Sequence, residues 1–379
     1  MEVKPNNRFL SLDIFRGMTI CFMIIVNTPG SGVTPFSPLM HAQWNGLTPT
    51  DLIFPSFLFA VGNAMSFSQK KYTNLSQSTV FIKFLRRTFV IFIIGYLIYW
   101  FPFFKLTSGG DIIAFPLSET RIMGVLQRIA LCYFFSSLLI QYFSSRKVII
   151  ISILILVGYW MILLIFGDNH DPYSIKGNAC LYLDKFLFNE KHLYHEDGVA
   201  FDPEGILGTL PAIVNVMIGY YAGIFVQKKG KSYESVSKIL ISGTLFIFIA
   251  LCWNMTFPIN KNLWTSPFVL ITTGIDLVVI GILIYFTEIS TTYKGSWANF
   301  FVAFGKNPLF IYITSILIRI VLNRIHLSQN ITVYEWLNNA IFQKVAPGPL
   351  GSLLFSLSFM VFCWGIVLYM DKRRIYVRV

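Results

Sequence analysis

The chain has 379 residues, of which 55% are hydrophobic and only 13% charged, with 37 Phe and 18 Tyr. A soluble globular chain carries about 25% charged residues, so the composition excludes an ordinary soluble domain and points to a polytopic membrane protein. The net charge of +12 requires no nucleic-acid partner, because cytoplasmic loops of membrane proteins collect Lys and Arg on their own account.

About ten apolar segments approach the roughly 20 residues that a bilayer crossing needs. In chain order they cover 10–27, 52–68, 88–104, 122–143, 148–166, 206–226, 239–253, 267–288, 308–322 and 350–370. The expected fold is an all-α transmembrane helix bundle forming a single domain over residues 1–379. The first segment contains Asp13 and Arg16 and is read as a retained span rather than a cleaved signal. Alternate loops hold Lys70, Lys71, Lys83, Arg86 and Arg87, then Arg146 and Lys147, then Lys228, Lys229, Lys231 and Lys238. The C-terminal tail adds Lys372, Arg373, Arg374 and Arg378. The positive-inside rule then places both termini in the cytoplasm. It places the turn between the first two segments, and the acidic loop 167–205, on the other side.

That first turn has no Lys or Arg and carries His41, followed by Ala42-Gln43-Trp44-Asn45-Gly46-Leu47-Thr48. Asn27 closes the segment before it and Asp51 opens the one after. A histidine is a general base near neutral pH. A side-chain amide can donate to an oxyanion, and a carboxylate can orient an imidazole. The structural alternative is a solvated loop histidine between two helix-capping residues.

Charges inside spans are costly and face a partner or a polar passage. Asp13 and Arg16 are three apart on one helix face and close enough to the edge to snorkel. Arg128, Asp276 and Arg319 lie deeper. Structural ion pairs and the lining of a passage both remain open for them. Lys306, in Gly305-Lys306-Asn307-Pro308, is either a phosphate contact or an ordinary inner-side lysine. Sequons stand at Asn74, Asn254 and Asn330. His170, His192 and His195 lack a firm metal spacing. None of Cys21, Cys132, Cys180, Cys252 and Cys363 forms a CxxC pair, so neither a disulfide framework nor a zinc or other metal site is expected.

Five stretches together resemble the heparan-α-glucosaminide N-acetyltransferase family, part of a wider group of transmembrane acyltransferases. They are Ser11-Leu12-Asp13-Ile14-Phe15-Arg16-Gly17, then the His41–Thr48 stretch with Asp51-Leu52-Ile53-Phe54-Pro55, and Arg121-Ile122-Met123-Gly124-Val125-Leu126-Gln127-Arg128. The last two are Asp202-Pro203-Glu204-Gly205-Ile206-Leu207-Gly208-Thr209 and Asn260-Lys261-Asn262-Leu263-Trp264. The resemblance implies transfer of an acetyl group from cytosolic acetyl-CoA to an amino sugar across the membrane. It implies that His41 and Asn27 are the active-site pair, with His41 either a general base or a transient carrier of the acetyl group; Asp51 is a candidate, from the residues alone, to orient His41.

On that reading, Arg16, Arg86, Arg87, Lys306 and Asn307 are candidates for the nucleotide end of CoA. Arg128 and Asp276 are candidates for its passage, with Arg121. Trp44, Asn45, Arg121, Asp202, Glu204 and Trp264 are candidates for the acceptor. On the same resemblance, the chain is expected to lack the large lumenal domain that precedes the first span in the lysosomal enzyme. A compact prokaryotic relative in the bacterial cytoplasmic membrane is therefore expected, as a homodimer, with an acceptor other than heparan sulfate. Two other classes stay open: a transporter whose buried charges line a solute path, and an envelope assembly component without turnover.

Overall fold

A computed structural model describes residues 9–69, 72, 75–106, 112–196, 198–290, 297–328 and 331–377. Lys70, Lys71, Asn74, Asp197, Asn330 and Arg378 lie outside the described residues. Helix accounts for 73% and strand for 3%, in accord with the all-α expectation. The helices are α1 (Leu10–Asn27), α2 (Ile53–Ser68), α3 (Gln77–Trp100), α4 (Val125–Tyr142), α5 (Ser145–Phe166), α6 (Ala179–Phe188) and α7 (Ile206–Lys229). They continue with α8 (Tyr233–Trp253), α9 (Ser266–Ile284), α10 (Trp297–Lys306), α11 (Pro308–Arg324), α12 (Val333–Leu337), α13 (Gln343–Val345) and α14 (Pro349–Lys372). Among the described residues, three two-stranded antiparallel pairs decorate the loops, the first pairing Phe104 with Ala114.

By length and composition, eight described helices can cross a membrane, or up to nine when a bent pair is one span. The bent pair is α10 and α11, which meet at 83° around Asn307. Pro308 opens α11, and the residue before a proline is pushed out of helical conformation. Each of the ten sequence-drawn segments falls on a helix. The third begins earlier than its apolar run, because α3 continues through Lys83, Arg86 and Arg87. The protein is a multi-pass integral membrane protein.

In a bilayer, helices associate through close packing rather than through apolar burial. The α2–α7 contact shows how this chain does it. A Cβ on Gly62 would stand 1.8 Å from the Val216 carbonyl, and one on Gly219 would stand 2.1 Å from the Phe59 carbonyl. The two backbones therefore approach each other through paired glycines.

The bundle has two distinct ends. At one end, Glu288 Oε1 accepts from the Leu10 amide at 2.6 Å, capping α1. Its other oxygen meets Lys231 at 2.5 Å. Lys306 is bound to Asp371 at 2.7 and 2.8 Å. The other end carries the loop with His41, the loop 167–205 and the turn before α9, and these close over a cavity.

Candidate active site

The His41 loop is built to be rigid. Pro49 takes the first position of a short 3₁₀ turn, where its missing N–H costs nothing. Asp51, two residues on, turns its carboxylate back over the loop. Oδ2 accepts from the Thr48 amide at 3.0 Å and from the Ala42 amide at 3.1 Å. Oδ1 lies 2.6 Å from His41 Nδ1. The Thr48 hydroxyl donates to the Met40 carbonyl at 2.7 Å. Asp51 is 1% exposed, whereas the His41 side chain is 53% exposed. A buried carboxylate thus holds an accessible imidazole.

The same loop is tied to two distant segments. Trp44 Nε1 donates to the Tyr173 carbonyl at 2.8 Å, and its ring packs edge-on against Phe201. Gly46, at φ 113°, donates its amide to the Ile259 carbonyl at 2.8 Å. That φ lies in the region that other residues avoid. Asn260 Nδ2 donates to Asn45 Oδ1 at 3.0 Å. These bonds dock the turn before α9 onto the loop, and the next residue is Lys261. Its Nζ lies 3.2 Å from His41 Nε2, 2.9 Å from Nδ1 and 3.6 Å from Asp51 Oδ1. Asp51 only accepts, so the ring proton belongs on Nδ1 and Nε2 is the free lone pair. The Lys261 ammonium therefore donates to Nε2, and its approach to Nδ1 is a contact at the ring edge.

His41 opens onto a cavity of about 430 Å³, within the size range of small-molecule sites. Its polar wall includes Asn27, Arg121, Gln127, Glu204, Lys261, Asn262 and Arg319. Its apolar wall includes Met23, Ile53, Phe54, Ile98 and Ile316. Asn27 is the last residue of α1, and Arg319 Nη1 donates to its carbonyl at 2.7 Å. A cation at a helix C-terminus satisfies an orphan carbonyl and the dipole together.

The cavity roof is an ionic clamp. Arg121 is bidentate to Asp202, through Nε at 2.9 Å and Nη2 at 2.6 Å, and reaches Glu204 at 2.5 Å. Its guanidinium lies between the Tyr99 and Tyr194 rings, 5.0 and 4.8 Å from their centres. Burial raises the Asp202 carboxyl despite Arg121. For Glu204 burial is outweighed by Arg121, Arg128 and Lys261, and its carboxyl falls below the usual range. Asp184 braces the clamp from behind, accepting from the Ile206 amide at 3.0 Å. Burial pushes the Asp184 carboxyl up to about 7, with Asp202 adding to the shift and the Ile206 amide and Arg128 opposing it.

The remaining sequence-derived candidates stand elsewhere. Arg128 is buried, donates to the Gly205 carbonyl at 3.1 Å and lies 4.8 Å over the Trp264 ring. Trp264 is itself buried and donates to Asn215 Oδ1 at 3.0 Å. Asp276 is buried in α9 and accepts from the Ser56 hydroxyl at 2.5 Å. At the opposite end, Arg16 pairs with Asp13 at 2.8 Å. Arg87 stacks 4.5 Å over Tyr133 beside exposed Arg86. Asn307 accepts from the Val377 amide and donates to the Ile375 carbonyl, both at 2.9 Å, so it holds the C-terminal segment. The structure therefore joins His41 to Asp51 directly, and brings Asn27, Arg121 and Glu204 into the same cavity wall.

Sequence reasoning did not single out Lys261. The available signal was its place in the Asn260-Lys261-Asn262-Leu263-Trp264 stretch. Among the described residues, no group of three or more His, Cys, Asp or Glu side chains is placed to hold a metal ion.

Comparison with known proteins gives a consistent result. Residues 8–242 match the family model described as heparan-alpha-glucosaminide N-acetyltransferase, catalytic. The chain is 29% identical over 364 residues to the heparan-alpha-glucosaminide N-acetyltransferase of Mus musculus, covering 81% of this chain and 53% of that protein. It is 28% identical over 363 residues to the protein of that name from Homo sapiens, covering 81% and 52%. The chain spans about half the length of the curated relatives it matches.

Proposed function

The chain belongs to the heparan-alpha-glucosaminide N-acetyltransferase family, and from that premise we propose that it is an acetyl-CoA-dependent N-acetyltransferase acting on an amino sugar. The observation that carries this reading is the imidazole of His41, tied by Nδ1 to buried Asp51 and turned toward a cavity that Asn27 also lines.

The acceptor enters as an ammonium. An ammonium already occupies the place beside Nε2, that of Lys261, so the site suits this group. In the proposed reaction the acceptor ammonium takes that place, and Lys261 turns toward Glu204. Nε2 removes one proton, and the freed nitrogen attacks the thioester carbonyl. As the N–C bond forms, the Asn27 amide donates to the oxyanion. As the C–S bond breaks, the imidazolium returns its proton to the departing thiolate. The second proton lost by the nitrogen passes to solvent. Asp51 does not titrate in this scheme: it holds the tautomer and stabilises the imidazolium.

The basic loops support an orientation with the cavity on the extracytoplasmic side and both termini in the cytoplasm. Counting α3 and the bent α10–α11 pair as spans gives about ten crossings, enough to return the chain to its starting side. Acetyl-CoA then reaches the cavity from within the bundle. Purified protein in proteoliposomes, supplied with acetyl-CoA and a panel of amino sugars, tests the reading. Transfer that disappears in His41→Ala, with folding retained, is the expected result. Transfer at the wild-type rate in His41→Ala contradicts it.

A further inference from the structure

We propose that Gln127 hydrogen-bonds a secondary amide of the donor's thioester arm as that arm lies in the cavity. This deepens the acetyl-CoA reading and rests on it. Gln127 is on the first turn of α4 and completely buried, yet neither its Oε1 nor its Nε2 has a hydrogen-bond partner. A primary amide offers two N–H donors and one carbonyl acceptor. Each such group left unpaired in a buried place keeps its full desolvation penalty, and native proteins keep few of them. Asn63 is also buried with both amide atoms unpaired, but it does not line the cavity. Gln127 does.

Its neighbour across the helix interface is Gly95 of α3. A Cβ at that position would stand 2.5 Å from Gln127 Oε1, and Gly95 lines the same cavity. The missing side chain makes the space that the Gln127 amide occupies, and the amide's terminal torsion is soft. Around it the wall is formed by Ile98, Val125, Leu126 and Ile316. The cavity's polar groups, among them Arg121, Glu204, Lys261 and Arg319, suit a hydroxyl-rich acceptor, and the apolar part of the wall, with one unpaired amide, does not. It suits a chain of methylenes interrupted by an amide, which is the chemistry of a pantetheine-type thioester arm. His41 lies in the wall of the same cavity, where the thioester carbonyl must arrive.

The experiment compares two short donors of similar length. S-acetyl-N-acetylcysteamine carries one secondary amide, and S-hexyl thioacetate carries none. Wild-type protein is first assayed with acetyl-CoA, and failure there sinks the functional reading itself. The ratio of kcat/KM for the two short donors is then measured in wild type and in Gln127→Leu. A fall of about two- to tenfold in the preference for the amide donor is expected, the size of one neutral hydrogen bond. An unchanged ratio overturns the assignment, because a structural amide or one paired only with water affects both donors alike. Gln127→Met gives the same readout should Gln127→Leu not fold. Asn63→Leu removes a similarly unpaired amide outside the cavity and should leave the ratio unchanged; a fall there of the same size also overturns the assignment.

Discussion

Asp51→Asn is the sharpest perturbation of the site, because it changes one atom of the carboxylate and leaves its shape. Asp51 meets donors on both oxygens: His41 Nδ1 on Oδ1, and the amides of Ala42 and Thr48 on Oδ2. An asparagine has a single carbonyl oxygen, so whichever way its amide turns, an NH₂ group faces a donor. With the oxygen toward the two backbone amides the loop survives, and the His41 bond is lost. A hydrogen bond to a charged group contributes about 1.5–3 kcal/mol, so a loss of stability of that order is expected. The effect on turnover is larger. A well-placed general base contributes about 10²–10⁴-fold, and without Asp51 the ring is no longer held with its free lone pair at Nε2. The assay is kcat for acetyl transfer beside a thermal melt in detergent. A drop in kcat of about 10²-fold or more, with the melt only modestly lowered, is the expected outcome. Asp51→Asn turning over at the wild-type rate would refute the argument that Asp51 orients His41.

Two further outcomes follow from neighbouring groups. Lys261→Met removes the ammonium that lies 3.6 Å from buried Asp51, so the protein should melt at a lower temperature near neutral pH; Lys261→Arg should restore part of the loss, and an unmoved melting temperature in Lys261→Met would count against the contact. Asp184 binds its proton more tightly folded than unfolded, so the folded state carries the extra proton between about pH 4 and 7 and stability falls as pH rises through that window; Asp184→Asn should flatten this part of the melting temperature–pH curve, and an equally steep curve would show that Asp184 does not set it.

The helices were legible because the signal for them is one-dimensional. A run of apolar residues long enough to span a bilayer reads the same in sequence and in space. The error at the start of α3 has the same origin. Hydropathy falls at Lys83, Arg86 and Arg87, but the helix continues through them, since backbone hydrogen bonding does not depend on lipid. His41 and Asp51 were legible as candidates because ten residues of loop separate them. Their convergence with Lys261 was not, because His41 and Lys261 are 220 positions apart and the contact depends on bonds from Gly46 and Asn45 to the segment before α9.

Other side chains with chemical capacity turned out to hold elements together. Trp44 anchors one loop to another, Arg128 and Trp264 stack on each other, and Asn307 fastens the C-terminal segment. Residue type alone does not distinguish an arginine that faces a cavity from one that faces a carbonyl. Gln127 shows the converse. Nothing in its spacing marks it, and only the absence of a partner in the folded chain does.

The most direct measurement is acetyl transfer by the purified protein in sealed proteoliposomes, with acetyl-CoA and an amino sugar placed on opposite sides. N-acetylated sugar should accumulate in wild type and not in His41→Ala of equal thermal stability. Product formation in His41→Ala at the wild-type rate, or sugar flux without acetylation in wild type, would contradict the acyltransferase mechanism.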